Sequence, residues 1–521
     1  MWLCVKKPNH PYSFPANNPK TTFSHLSAAP AAPCGSVLRK EMKYLVNIGL
    51  ETHVQLKTRT KMFCGCLLST ESEPNTNVCP VCLGLPGALP RANKEAVKLV
   101  VMSGLMLGCD IARHAEFARK NYFYPDMSKN YQISQSGAPL CLGGGVEIHA
   151  GGVPTGAPKR IRLDHIHLEE DAAKINHYAR HSGVDYNRCG TPLMEIVGMP
   201  DLSSPDEAME YLQRLREILV YAGVSDCNLE DGNMRSDVNV SLRPEGSDAL
   251  GTKVEIKNMN TFKGIHAALE FEIARQTALL QAGGAVVQET RRWDGDLGET
   301  FSMRTKENAH DYRYFPEPDL LPVDLDEAQV EAWRALLPEA PEAKRERFQS
   351  QFGIPAYDAG VLAAQKPLAD FFEATLVAGA PAKLAANWIM GDLLRLLGAA
   401  SLDIANLRTV TPASLASLLK LVEAKTVNGP TAKELLEEIF EKGGDPEAIV
   451  KERGLAQVSD AGAVEALARQ AIDANPKPAA EFRAGKKASL QFLVGQVMKL
   501  SKGKANPKLA AEALSKLLAE G

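Results

Sequence analysis

Between residues 45 and 56 apolar and polar side chains alternate. Val46, Ile48, Leu50, Val54 and Leu56 fall on one face, and Asn47, Gly49, Glu51, His53 and Gln55 on the other. A period of two predicts a half-buried strand that sets Glu51 and His53 side by side on its polar face. Two later stretches repeat the layout. In 235–243, Arg235, Asp237, Asn239, Ser241 and Arg243 alternate with Val238, Val240 and Leu242; in 253–257, Lys253, Glu255 and Lys257 alternate with Val254 and Ile256. The turn-rich residues 244–252 between them predict a hairpin. Three strands of this kind imply one sheet whose apolar face is covered and whose polar face lines a cleft. A fourth segment, 161–174, begins as a strand and carries Arg162, Asp164, His165, His167, Glu169, Glu170, Asp171 and Lys174.

Helical spacing takes over in 93–107 (Ala96, Val97, Val100, Val101, Gly104, Leu105, with Asn93 as N-cap), in 205–222 after Ser203 or Ser204, and in 261–280. From Asp326 onward strand alternation disappears, and Ala, Leu, Lys and Glu recur at helical spacing. The expected class is therefore α+β: a mixed-sheet domain over 42–322, an all-helical domain over 323–405 and a small helical tail over 406–521. Residues 1–41 contain no acid before Glu41 and are read as an extension outside the fold, or as an organellar transit peptide.

Composition narrows the function classes. The chain has 521 residues, 45% hydrophobic and 23% charged, with a formal net charge of −4, so any nucleic-acid role must rest on local charge. Its longest apolar run, 99–109, is interrupted by Ser103, Gly104 and Gly108 and falls short of the ~20 residues a membrane span needs. Ten cysteines is low usage for a disulfide framework. Four of them, Cys64, Cys66, Cys79 and Cys82, have a spacing that a knuckle and a hairpin can bring to one tetrahedral zinc ion, closed and therefore structural. The carboxylates and His53 of the polar face suit Mg²⁺, which commonly sits between a few carboxylates and a substrate's phosphates; Lys257 and Arg235 are placed to offset phosphoryl charge. Phosphoryl transfer is the reaction class these residue types fit. In the tail, seven cations (Arg483, Lys486, Lys487, Lys499, Lys502, Lys504, Lys508) occur with no acid among them, a pattern suited to phosphate backbones.

Several stretches resemble a known family. Residues 48–56 (IGLETHVQL), 119–126 (RKNYFYPD), 131–135 (YQISQ), 167–174, 190–197 (GTPLMEIV), 311–319 (DYRYFPEPD) and 494–499 (VGQVMK) are similar, in order, to the B subunit of the tRNA-dependent aspartyl/glutamyl-tRNA amidotransferases. The resemblance covers residues 43–521. It implies a cradle-shaped α/β domain, a helical domain and a helical tail, working with an amidase (the A subunit) and a small C subunit on a mischarged tRNA. It implies that ATP and Mg²⁺ activate the side-chain carboxylate of Glu-tRNA or Asp-tRNA, and that ammonia then displaces phosphate. On matching positions, Glu51, His53 and Glu169 or Glu170 become the Mg²⁺ centre. From their places on the polar faces of the strands, and not from the resemblance, Glu51, His53, Glu170, Arg235 and Asn239 are expected to contact ATP, with Asp237, Glu255 and Lys257 as further catalytic groups. The cysteines become a structural Zn²⁺ site and the basic tail the tRNA body contact. The compartment implied is the cytoplasm of a bacterial-type cell, or a chloroplast or mitochondrion if residues 1–41 are a transit peptide. Two other readings are a non-catalytic, zinc-containing RNA-binding scaffold and a chain that itself hydrolyses glutamine; for the last, no Ser-Lys or Cys-His pattern is visible.

Overall fold

The alternation at 45–56 forms the central strand β1 (Tyr44–Gln55). The computed structural model describes residues 3–6, 43–69, 72–149, 158–305, 312–455, 461–501 and 505–520. Two strands flank β1 antiparallel: β3 (Pro192–Gly198) on one side and β4 (Met234–Pro244) on the other. Beyond β3 lies β2 (Lys159–Glu170), and beyond β4 lies β5 (Val254–Lys257), the second arm of the expected hairpin. The sheet extends to ten strands, with Glu289–Asp294 parallel to β5 and Glu299–Thr305 at that edge. Of the first 42 residues only Leu3–Lys6 are described, paired with His181–Asp185 in a separate three-stranded sheet.

One face of this sheet is the core. Ile48, Leu50, Val54, Ile166, Leu168, Met194, Ile196, Val238, Val240 and Ile256 are all buried in one cluster. Withdrawing each such side chain from water contributes roughly 1.5–3 kcal/mol. Three helices supply the other half: α1 (Lys94–Met106), α2 (Pro205–Tyr221) and α3 (Phe262–Gln281). Their starts are set by side-chain caps, in which Asn93 accepts from the Glu95 N–H, Ser204 from Glu207 and Thr261 from Gly264.

In β2 the alternation changes phase partway along. Ile161 and Leu163 point into the core, yet so do Ile166 and Leu168. The pairing with β3 explains it: Gly198 faces Leu163 and Val197 faces His165, so Asp164 is an extra residue with no counterpart on β3. This β-bulge moves the odd positions His165, His167 and Glu169 from the core side to the open side.

The first compact unit runs to Pro338, sixteen residues beyond the expected limit of 322. The strand Val323–Asp324 pairs with His114–Ala115, and the helix Glu327–Arg334 packs on α1 through Val330 and Trp333, so this stretch is not all-helical and belongs to the sheet domain. The second unit, 339–521, is helical. One core there contains Phe348, Phe372, Trp388, Leu415, Leu419, Leu435 and Val450; another contains Val464, Ala468, Leu493, Val497 and Leu514. The tail with its own core therefore begins in Ala461–Ala474, and the helices of 406–453 join the preceding core, not the tail. No helix among the described residues is long and apolar enough to cross a membrane.

Candidate active site

The open face of the sheet lines a cleft of about 1560 Å³. Strand register sets its floor. His53 on β1 lies opposite Glu195 on β3 and Arg235 on β4, and Glu195 lies opposite His167 on β2. His53 Nε2 is 3.1 Å from Glu195 Oε2 and 3.7 Å from Glu169 Oε1. His167 Nε2 is 3.5 Å from Glu195 Oε2 and 3.6 Å from Glu169 Oε2. Ligand atoms of His53, Glu169 and Glu195 lie within 4.8 Å of one another. Two carboxylates facing each other at this depth need a cation between or beside them. Burial works to deprotonate His53, but the Glu195 hydrogen bond and the charges of Glu169, Glu195 and Asp237 prevail and hold it up at about 9. Glu195 is pulled below the usual carboxylate range, because His53 and His167, with Lys120, outweigh its burial. Two oxygen ligands and one imidazole, facing open space, suit a divalent ion that keeps positions for water and substrate.

Cations and amides surround this centre. Lys257 Nζ donates to Asp237 Oδ2 at 2.7 Å and lies 3.5 Å from Glu255 Oε1; its own burial is overridden by these acids, and its pKa rises. Asn239 donates to Glu51 Oε1 at 2.8 Å, and its buried Oδ1 has no partner among the described residues. Glu255 accepts from Thr290 Oγ1 on the adjacent parallel strand. On the facing wall Lys120 lies 5.1 Å above the Tyr312 ring. Gln135 there accepts from the Leu168 N–H, which orients its amide.

Of the residues expected from sequence, Glu51, His53, Glu169, Asp237, Glu255 and Lys257 line this cleft. Glu170 does not. Neighbours on a strand face opposite sides, so Glu169 and Glu170 cannot share a site. Glu170 turns to the other side of the sheet, where its carboxylate accepts from Lys129 Nζ at 2.6 Å and the Ile133 N–H at 3.0 Å, a buried structural pair. Arg235 leaves the floor to bind Asp171 at 3.0 Å, in an adjoining depression, and Asn239 braces Glu51 without lining the cleft. Glu195 was missed as a site residue. Its signal was a single acid in the apolar run Leu193, Met194, Ile196, Val197, on a strand whose place beside β1 the sequence does not reveal.

The four cysteines form the other convergent group, with their sulfurs within 4.8 Å. Hydrogen bonding from Cys64 draws the Cys82 thiol down to about 4 against its burial, assisted by the Cys79 N–H and the charge of Lys61. Lys61 is fully buried and reaches Cys82 Sγ at 3.5 Å and the Tyr186 carbonyl at 2.9 Å. Four thiols beside a buried cation suit a closed tetrahedral Zn²⁺ site. In the tail, Arg483 donates to the Leu518 carbonyl at 3.4 Å and Lys486 pairs with Glu481 at 3.0 Å. Lys487 caps the start of Ala488–Leu500, Lys499 sits in the last turn of that helix and Lys508 lies in the first turn of Pro507–Glu520; Lys502 and Lys504 fall outside the described residues.

Comparison with known proteins gives the same answer over nearly the whole chain. Residues 46–331 match the family model described as the GatB/GatE catalytic domain, and residues 370–518 match that of the GatB domain. Proteins named as the B subunit of aspartyl/glutamyl-tRNA(Asn/Gln) amidotransferase are similar at full length. Those of Caldanaerobacter subterraneus, Chlorobium chlorochromatii and Geobacter sulfurreducens are each 50% identical over 92% of this chain and 100% of the relative. With its mixed-sheet cradle, helical second unit and carboxylate–histidine cleft, the chain belongs to the GatB family of tRNA-dependent amidotransferase B subunits.

Proposed function

We propose that this chain is the kinase and transamidase component of an ATP-dependent ligase. Its cleft takes the acylated end of a mischarged Glu-tRNA(Gln) or Asp-tRNA(Asn). The observation that carries the reading is the convergence of His53, Glu169 and Glu195 on one point of the cleft floor, flanked by Lys257. A carboxylate is a poor electrophile and needs a leaving group. One of its oxygens bonds to the γ-phosphorus of ATP as the bond to the bridging oxygen breaks, and ADP departs. Ammonia nitrogen then bonds to the carbonyl carbon, the bond to the phosphate oxygen breaks, and nitrogen sheds a proton to leave the amide of Gln-tRNA or Asn-tRNA. Mg²⁺ held by His53, Glu169 and Glu195 would neutralise the polyphosphate charge. Lys257, fixed between Asp237 and Glu255, presents a permanent cation to the transferred phosphoryl group. Tyr312 and Tyr314 on the facing wall limit water around the acyl phosphate. The relatives are named as B subunits, which supports two partners: an amidase that releases ammonia, as the A subunit, and a small C subunit.

The test uses the reconstituted three-protein complex. His53→Ala and Glu195→Gln each lower ATP-dependent conversion of Glu-tRNA to Gln-tRNA by about 100-fold or more, with tRNA binding retained. Near wild-type turnover in both variants would refute catalysis here and leave an RNA-binding scaffold.

A further inference from the structure

Three residues that line the cleft, Asp164, His165 and His167, take no part in the chemistry above. Successive residues of a strand face opposite sides, so an acid next in sequence to a histidine cannot ordinarily meet it on one face. Asp164 does so because it is the extra residue of the bulge in β2. Its Oδ2 lies 2.7 Å from His165 Nδ1, and His165 Nε2 lies 3.1 Å from His167 Nδ1. The other nitrogen of His167, Nε2, is the one that stands 3.5 Å from Glu195 Oε2 and 3.6 Å from Glu169 Oε2. The three side chains thus form a hydrogen-bonded chain that runs inward, from an acid 58% exposed through a histidine 27% exposed to one 9% exposed.

The direction of these bonds follows from what each group can offer. A carboxylate only accepts, so His165 Nδ1 donates to Asp164. In a neutral ring the second nitrogen then carries a lone pair, so His165 Nε2 accepts from His167 Nδ1, and His167 Nε2 is left with its own lone pair aimed at Glu169 and Glu195. A lone pair facing two carboxylate oxygens is repelled unless a cation stands among them. We infer that His167 is a further nitrogen ligand of the divalent ion held by His53, Glu169 and Glu195, and that Asp164 and His165 are positioning residues that fix its tautomer and the orientation of its ring. Imidazole binds metals as the neutral ring, and the partner of one nitrogen decides that the other is free to bind. Two imidazoles beside two carboxylates turn a site for hard ions into one that also holds Mn²⁺ firmly. The inference rests on the ion site proposed above and deepens it.

The probe is Mn²⁺, one equivalent added to the reconstituted complex after Zn²⁺. Pulsed EPR of the bound ion shows coupling to two imidazole nitrogens in the wild type and to one in His167→Ala. Calorimetry shows Mn²⁺ affinity lowered about 10-fold or more in His167→Ala and in His165→Phe, which keeps a ring but not the hydrogen bond. His165→Gln, whose amide oxygen still accepts from His167, stays near wild type, and all three variants keep the wild-type unfolding midpoint. A single nitrogen in the wild type would overturn the assignment, however the variants fold, and would make His167 a charged partner of the two carboxylates. Unchanged affinity in His165→Phe, or equal weakening in His165→Phe and His165→Gln, would overturn the positioning role. Amidation is read separately. Two nitrogens in a wild-type complex that forms no Gln-tRNA or Asn-tRNA would uphold the ligand set and refute the reaction proposed above; product formed with one nitrogen would do the reverse.

Discussion

Glu169 and Glu170 are adjacent in the chain and occupy different environments. Glu169 faces His53 and His167 across the open side, and Glu170 is locked to Lys129 beneath the sheet. Glu169→Gln is expected to abolish amidation while leaving the denaturant midpoint near wild type. Glu170→Gln strands a buried ammonium and costs about 3–5 kcal/mol by equilibrium unfolding. The pair shows what composition conceals: either acid qualifies as a ligand by type, and only strand parity tells them apart. His53 gives the pH prediction. Its folded pKa of about 9 lies above its ordinary 6.5, so its contribution to stability is complete below pH 6.5 and is lost as pH rises through 9. With divalent ions chelated, the thermal midpoint should fall over that window, and His53→Gln should flatten the fall; an unchanged profile would show that the imidazole is not held by Glu195. The depressed pKa of Glu195 reports the same contact and is not a second contribution.

At the scale of elements, periodicity was a faithful guide. Three strands, their shared polar face and three capped helices follow from alternation, 3.6-residue spacing and cap residues, all of them local signals. Strand neighbours are set by side-chain packing between segments far apart in sequence. That is why β3 went unrecognised as the bridge between β1 and β2, and Glu195 with it. The bulge at Asp164 was hidden for a related reason, since Leu163 and Ile166 each look correctly placed alone and conflict only when both must be buried. The cysteine loop was legible from spacing, and the buried Lys61 beside Cys82 was not. Metal analysis should find about one zinc per chain. Cys64→Ser and Cys82→Ser should lose it and open the 61–90 segment to limited proteolysis, while a metal-free wild-type chain would remove the site.

For the whole molecule, the sequence located the change from mixed sheet to helix but placed its limits early. Val323–Asp324 and Glu327–Arg334 finish the sheet domain, and helices up to Pro446–Arg453 finish the next core. Composition does not distinguish a helix that caps one core from a helix that opens the next. Boundaries decide where to cut. Removing 483–521 would expose Val464, Ala468 and Ala471, whereas ending the chain at Leu455 removes one complete core. The truncation at 455 should keep the cleft folded and weaken tRNA binding by about 10-fold or more, with a shallower salt dependence; unchanged affinity and slope would dissociate the tail from the tRNA. The position of β1 has a further consequence, for synthesis. The strand bearing His53 is the first of the five central strands made, yet it lies between β3 and β4, whose residues emerge more than a hundred positions later. Until Gly198 has left the ribosome β1 has two open edges, and until Pro244 has left it one remains open. The nascent chain must therefore be sheltered longest around the strand that carries Glu51 and His53.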